Sequence, residues 1–126
     1  MSALKEIKRV FQGLQTLYQS YLPKVDPILI NDLLSRQLRN PKDAPFYLVE
    51  IFTKPGINEE EKRKYIIEKT GMVPSIHDNG THYVTNHRLT IELLQEFSNS
   101  DDVVEITGDY TGGLTGVGAS HSRSGR

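Results

Sequence analysis

The chain has 126 residues, 37% apolar, and a formal net charge of -1, which bounds it to one small domain with appendages and gives no basic excess of the kind that marks a phosphate-binding surface. It has no cysteine, so disulfides, thiolate metal sites and cysteine nucleophiles are excluded. Met1 to Tyr21 alternates charged and apolar positions instead of forming the unbroken apolar run of a signal peptide, and no later stretch approaches a membrane span, so the expected setting is the cytoplasm.

From the N-terminus, Leu4, Ile7, Phe11, Leu14, Tyr18 and Tyr21 recur at alternating spacings of three and four, a heptad seam on a helix that keeps Lys5, Lys8, Arg9, Gln12 and Gln15 off it. Under three heptads is short for a free-standing coiled coil. The seam is therefore expected to pack on its own domain or the next helix, with self-association as the alternative. Pro23 ends this helix and Asp26-Pro27 starts another, with an acidic cap and proline at the first helical position. Its apolar stripe is Ile30, Leu33, Leu34 and Leu38, and the two helices read as a hairpin over residues 1–44.

Residues 46–53 form the strongest strand, whose alternation sets Tyr47, Val49 and Ile51 against Phe46, Leu48, Glu50 and Phe52. Because Glu50 resists burial, the first set is assigned to the core and the second to an open face. Pro55-Gly56 turns the chain, and Asn58 with Glu61 caps a helix from Glu59 to about Thr70 whose charge run reads as a solvated face; Gly71 closes it. Asn79-Gly80 then predicts a two-residue hairpin turn between strands at residues 73–77 and 82–85, with Pro74 placing the first of these at a sheet edge. Thr90 caps a helix carrying Leu93, Leu94 and Phe97, and residues 103–107 form the last strand, with Val104 and Ile106 inward and Val103, Glu105 and Thr107 on the open face. From Gly108 glycine and serine dominate, so the end reads as a flexible tail, and its Gly112 to Gly118 run lacks the lysine of a phosphate-binding loop.

Strand, helix, hairpin, helix, strand predicts an α+β, ferredoxin-like βαββαβ domain over residues 45–109, preceded by the helical hairpin and followed by a disordered Gly/Ser-rich tail over 110–126. That fold hosts many functions. No nucleophile or metalloprotease motif is present, and no enzyme and no cofactor are expected. Glu50 and Glu105 are placed to lie near each other on the open face, more readily explained as solvated charges that limit self-association than as an acid-base pair. A two-residue turn opposes His77 to His82, an arrangement that serves as an exposed pair or, alternatively, as a zinc or pH-responsive site. The apolar residues of the open face need a cover, which is either the N-terminal helices, within the monomer or across a dimer, or a partner protein.

Phe46-Tyr47-Leu48-Val49-Glu50-Ile51, Asn58-Glu59-Glu60-Glu61, the run from Leu89 to Phe97 and Ser100-Asp101-Asp102-Val103-Val104-Glu105-Ile106-Thr107-Gly108-Asp109 together resemble the propeptide-like inhibitor domain of subtilisin-type serine proteases. The resemblance covers residues 46–109. It implies an open sheet face that docks on the protease through Phe46, Leu48, Glu50, Phe52 and Glu105, and a following extended segment, including Asp109 and Tyr110, that enters the substrate cleft. The family's third strand has a Gly-Phe-Ala-like pattern where this chain has His82-Tyr83-Val84-Thr85, and its domain has no counterpart of the N-terminal helices. The expected function is a non-catalytic protein-interaction module of this inhibitor kind, without nucleic acid or membrane as partner. The alternatives are a homo-oligomeric adaptor assembled through Leu4, Ile7, Phe11, Leu14, Tyr18 and Tyr21, and a metal- or pH-responsive regulator using His77 and His82.

Overall fold

The computed structural model describes residues 2–112, and most of the segment read as a tail lies outside them. In chain order the elements are α1 (Ser2–Tyr21), α2 (Pro27–Arg39), β1 (Phe46–Thr53), α3 (Glu59–Thr70), β2 (Ser75–His77), β3 (His82–Arg88), α4 (Ile91–Ser98) and β4 (Val103–Tyr110). The strands make one antiparallel sheet in the order β2-β3-β1-β4. The expected caps are in place: Asp26 accepts from Ile28 N, Asn58 from Glu61 N and Thr90 from Leu93 N, and Gly71 closes α3 in the left-handed region.

Tyr47, Val49 and Ile51 of β1 and Tyr83 of β3 point into a core completed by Ile66 of α3, Leu94 and Phe97 of α4, and Leu29, Ile30 and Leu33 of α2. So α2 joins the same layer as α3 and α4, and no described helix covers the other face of the sheet. Cover by the chain's own N-terminal helices is absent for a reason visible at β4. Ile106 exchanges backbone hydrogen bonds with Lys24 O (2.8 Å) and Asp26 N (2.9 Å), a single parallel bridge at Val25 that fixes where α2 starts along the sheet edge. From there α2 lies over β4, where Gly108 leaves room for it. A Cβ at Gly108 would stand 2.9 Å from the Leu48 carbonyl oxygen and 3.3 Å from the Leu29 methyls.

A polar cluster secures α2 to the sheet. The Tyr47 hydroxyl donates to Asp32, Arg36 Nε donates to the same carboxylate at 3.1 Å, and the Arg36 guanidinium lies 3.4 Å from the centroid of the Tyr110 ring. Burial, reinforced by the carboxylate, raises the Tyr47 pKa well above the tyrosine range and keeps it a neutral donor. The buried stripe of α2 is accordingly Leu29, Ile30 and Leu33, and the expected Leu34 and Leu38 are exposed.

Three further details depart from expectation. The β-turn is centred on Asp78-Asn79, with φ of 55° and 59°, and Gly80 adds a third positive φ of 82°. His77 O accepts from both Gly80 N and Thr81 N, and Thr53 N binds Thr81 O at 2.8 Å. Thr81 is therefore held by β1 through its backbone, and its hydroxyl donates to Asp78 O at 2.8 Å. The first hairpin arm shrinks to Ser75–His77, at the sheet edge where Pro74 was expected to confine it. In β4 the register shifts between Phe52 and Thr53, pairing Glu105 with Phe52 but Val103 with Thr53. This bulge makes Val104 the extra residue, so Val103 is buried and Val104 exposed. Lastly, the expected helical hairpin is not a side-by-side pair. Tyr18 is buried and donates to Asn31 Oδ1 at 2.7 Å, while Leu4, Ile7 and Phe11 are exposed.

Candidate interaction surface

The bare sheet face is built by strict alternation. Along β1 it carries Phe46, Leu48, Glu50 and Phe52, each half-buried between neighbouring strands. The register sets Arg88, Asn86, Val84 and His82 of β3 opposite these four in turn. On the other side Asp109, Thr107 and Glu105 of β4 oppose Leu48, Glu50 and Phe52. Beyond β3, Ser75 and His77 of β2 oppose Val84 and His82.

Two clusters organise this face. At one end His82 stacks on Phe52, with ring centroids 4.3 Å apart and planes inclined by 15°. Its Nε2 lies 2.9 Å from Glu50 Oε1 and its Nδ1 3.5 Å from Asp78 Oδ2. His77 is opposite as expected, with centroids 5.4 Å apart, and its Nε2 lies 3.1 Å from Ser75 Oγ. Both His82 nitrogens thus face carboxylates, and among the described residues no group of three His, Asp or Glu side chains is placed to hold a metal ion. At the other end the Arg88 guanidinium lies 4.8 Å from the Phe46 ring centroid and donates to Ala44 O at 3.0 Å. The Thr111 hydroxyl crosses β1 to Asn86 Oδ1 at 2.7 Å. Between the clusters Leu48 and Val84 form an apolar centre, with Glu50 and Asp109 on the strands beside it.

Glu50 and Glu105 sit on the same face but diagonally, since Glu50 opposes Thr107 and Glu105 opposes Phe52. Glu50 is occupied by His82 instead of forming a carboxylate pair. Tyr110 belongs to β4 and, opposite Tyr47, turns its ring to the α2 side, meeting Tyr47 edge-on at 5.7 Å. Asp109 faces the open side opposite Leu48. Of the six seam residues of α1, Tyr18 belongs to the core of its own chain and the other five are exposed.

One feature escaped the sequence. A cleft of about 430 Å³ separates the start of α3 from the turn before β4, lined by Asn58, Glu61, Lys62, Tyr65, Ser100, Asp101 and Asp102. Lys62, taken for part of a solvated charge run, is 6% exposed and its Nζ lies 2.8 Å from Asp102 Oδ1. The signal available was its position four residues before Ile66, on the buried stripe of α3. No helix of the described residues is long and apolar enough to cross a membrane. No protein-family model matches the chain, and no curated protein and no solved structure matches it.

Proposed function

We propose that this chain is a non-catalytic protein-binding module of ferredoxin-like topology, acting in the cytoplasm, whose working surface is the bare face of the sheet. The observation that carries the reading is that Phe46, Leu48, Phe52 and Val84 stand on a face that none of α1 to α4 covers, since apolar side chains gathered on a solvent-facing surface and rimmed by polar ones mark an interaction site. Glu50, Glu105 and Asp109 charge the same face and give a partner polar groups by which to fix its register. In the specific form suggested by the resemblance, the partner is a subtilisin-type serine protease and the face docks on its surface as an inhibitory propeptide does. The placement of Tyr110 under Arg36 confines any cleft-entering segment to residues beyond it.

The test is binding and inhibition of a subtilisin-type protease by the full chain and by Leu48→Glu, with far-UV circular dichroism as the folding control. Leu48 is on the open face, so the variant is expected to fold and to lose binding. Equal binding by both proteins would refute the docking face. No binding by the wild type would refute the protease as partner.

A further inference from the structure

Among the described residues a second apolar surface is left unpartnered. Leu4, Ile7, Val10, Phe11, Leu14 and Leu17 lie on one side of α1, between 37% and 66% exposed, although the helix is anchored in its own domain from Tyr18 onward. We infer that this stripe is the interface with a second copy of the chain, paired with it as two antiparallel helices. This surface is separate from the sheet face, and the inference does not depend on the function proposed for that face.

Area and charge both select this occupant. Six side chains exposing roughly 100 Å² apiece remove on the order of 600 Å² per helix from water, so a symmetric pair buries about 1,200 Å², the lower bound of stable interfaces. A stripe that repeats at three and four residues is self-complementary in the way helix pairs require. Orientation follows from the charges. Lys5, Glu6, Lys8 and Arg9 are the charged residues of α1, and none occurs from Val10 to Tyr21. Glu6 is already taken by Arg9. A parallel pair would bring together two basic ends that are also the positive ends of two helix dipoles. An antiparallel pair sets each basic end beside the uncharged, negatively poled end of its partner. Matching the stripe end to end, with Leu4 against the partner's Leu17, places Ile7 against the partner's Leu14 and Val10 against its Phe11.

The test is solution mass of the full chain by sedimentation equilibrium from micromolar to hundreds of micromolar, with circular dichroism controls, for wild type, Phe11→Glu and Leu48→Glu. Wild type and Leu48→Glu should dimerise, and Phe11→Glu should be monomeric, with the unfolding midpoint that wild type shows at concentrations low enough to leave it monomeric, because Phe11 is outside the core of its own domain. The chain has no cysteine, so single cysteines report orientation. A mixture of Ile7→Cys and Leu14→Cys should form the mixed disulfide, and Leu4→Cys should not couple to itself. A wild type that is monomeric throughout, a dimer that survives Phe11→Glu, or a monomer that instead sediments with anionic phospholipid vesicles would overturn the inference, the last by assigning the stripe to a lipid surface. Efficient self-coupling of Leu4→Cys would overturn the antiparallel orientation.

Discussion

Removing the carboxylate of Asp102 isolates a buried ammonium, and its cost follows from where the two groups lie. Lys62 is 6% exposed, whereas the side chain of Asp102 is 31% exposed at the cleft. Breaking a fully buried pair costs about 3–5 kcal/mol, and an exposed pair is worth roughly 0–1 kcal/mol. With water able to enter from the cleft, Asp102→Ala should fall between these, at about 2 kcal/mol. Lys62→Met keeps the apolar stem and leaves Asp102 able to turn toward water, so it should cost about 0.5 kcal/mol. The double variant should resemble Lys62→Met, because the ammonium that made the single Asp102 variant costly is gone.

Thermal and urea unfolding followed by circular dichroism at neutral pH measure all four corners of the cycle. For a domain of this size about 2 kcal/mol corresponds to a drop of roughly 8 °C in Tm. Equal losses in the two single variants would show that the pair contributes net attraction and not merely relief of desolvation. A loss under about 0.5 kcal/mol for Asp102→Ala would mean that the Lys62 ammonium reaches water unaided, and the reasoning would fail. The site also bears on the open face of the sheet. Asp102 O accepts from Lys54 N at 2.8 Å just before the bulge that turns Val103 inward, and the same register brings Glu105 opposite Phe52.

Other expectations can be checked with the same unfolding assays. Gly108→Ala forces a methyl against the Leu48 carbonyl and the Leu29 side chain and should cost about 1–3 kcal/mol, chiefly by displacing α2; an unchanged midpoint would refute the close packing of α2 on β4. Burial lowers the His87 pKa from its ordinary 6.5. Its neutral form is therefore fully stabilising above about pH 6.5, and stability should decline as the pH falls from there through the lowered folded value, where the unfolded chain alone takes up the proton. His87→Phe should flatten that part of the stability profile measured by urea unfolding, and an unaltered slope would assign it to other groups. Gly13 stands inside α1 with nothing within 4 Å of an added Cβ, so Gly13→Ala should strengthen the helix by about 0.5–1 kcal/mol, read as higher helicity by circular dichroism and a later melt.

The regular elements were legible because local chemistry specified them. Alternation in β1 divided core from open face correctly, and the caps at Asp26, Asn58 and Thr90 fixed where helices begin. What was not legible depended on residues far apart in the chain. The inward turn of Val103 requires the bulge opposite Phe52 and Thr53, and the burial of Lys62 requires Asp102, forty residues later. Periodicity named Leu34 and Leu38 as buried, but the Val25 bridge and the Asp32, Arg36 and Tyr47 cluster rotate α2 to bury Leu29 instead. At the candidate surface the opposition of His77 to His82 was readable from the hairpin. The engagement of His82 by Glu50 and Asp78 was not, since it joins a neighbouring strand to the turn.

The two unpartnered surfaces have a consequence when taken together. The anchor of α1 runs through Tyr18, Leu22 and Val25, all buried with the core cluster on the helix side of the sheet, while Leu48 and its neighbours face the opposite side. Pairing through α1 therefore leaves the sheet face of each copy available, and a dimer presents two such faces. Two docking faces on one particle raise the strength of attachment to a multivalent or repeating partner without adding any contact. Phe11→Glu should consequently weaken attachment to an immobilised, dense partner far more than binding to the same partner free in solution, whereas Leu48→Glu should abolish both. Equal losses in the two formats for Phe11→Glu would mean that α1 takes part in the docking contact itself, and the separation of the two surfaces would have to be abandoned.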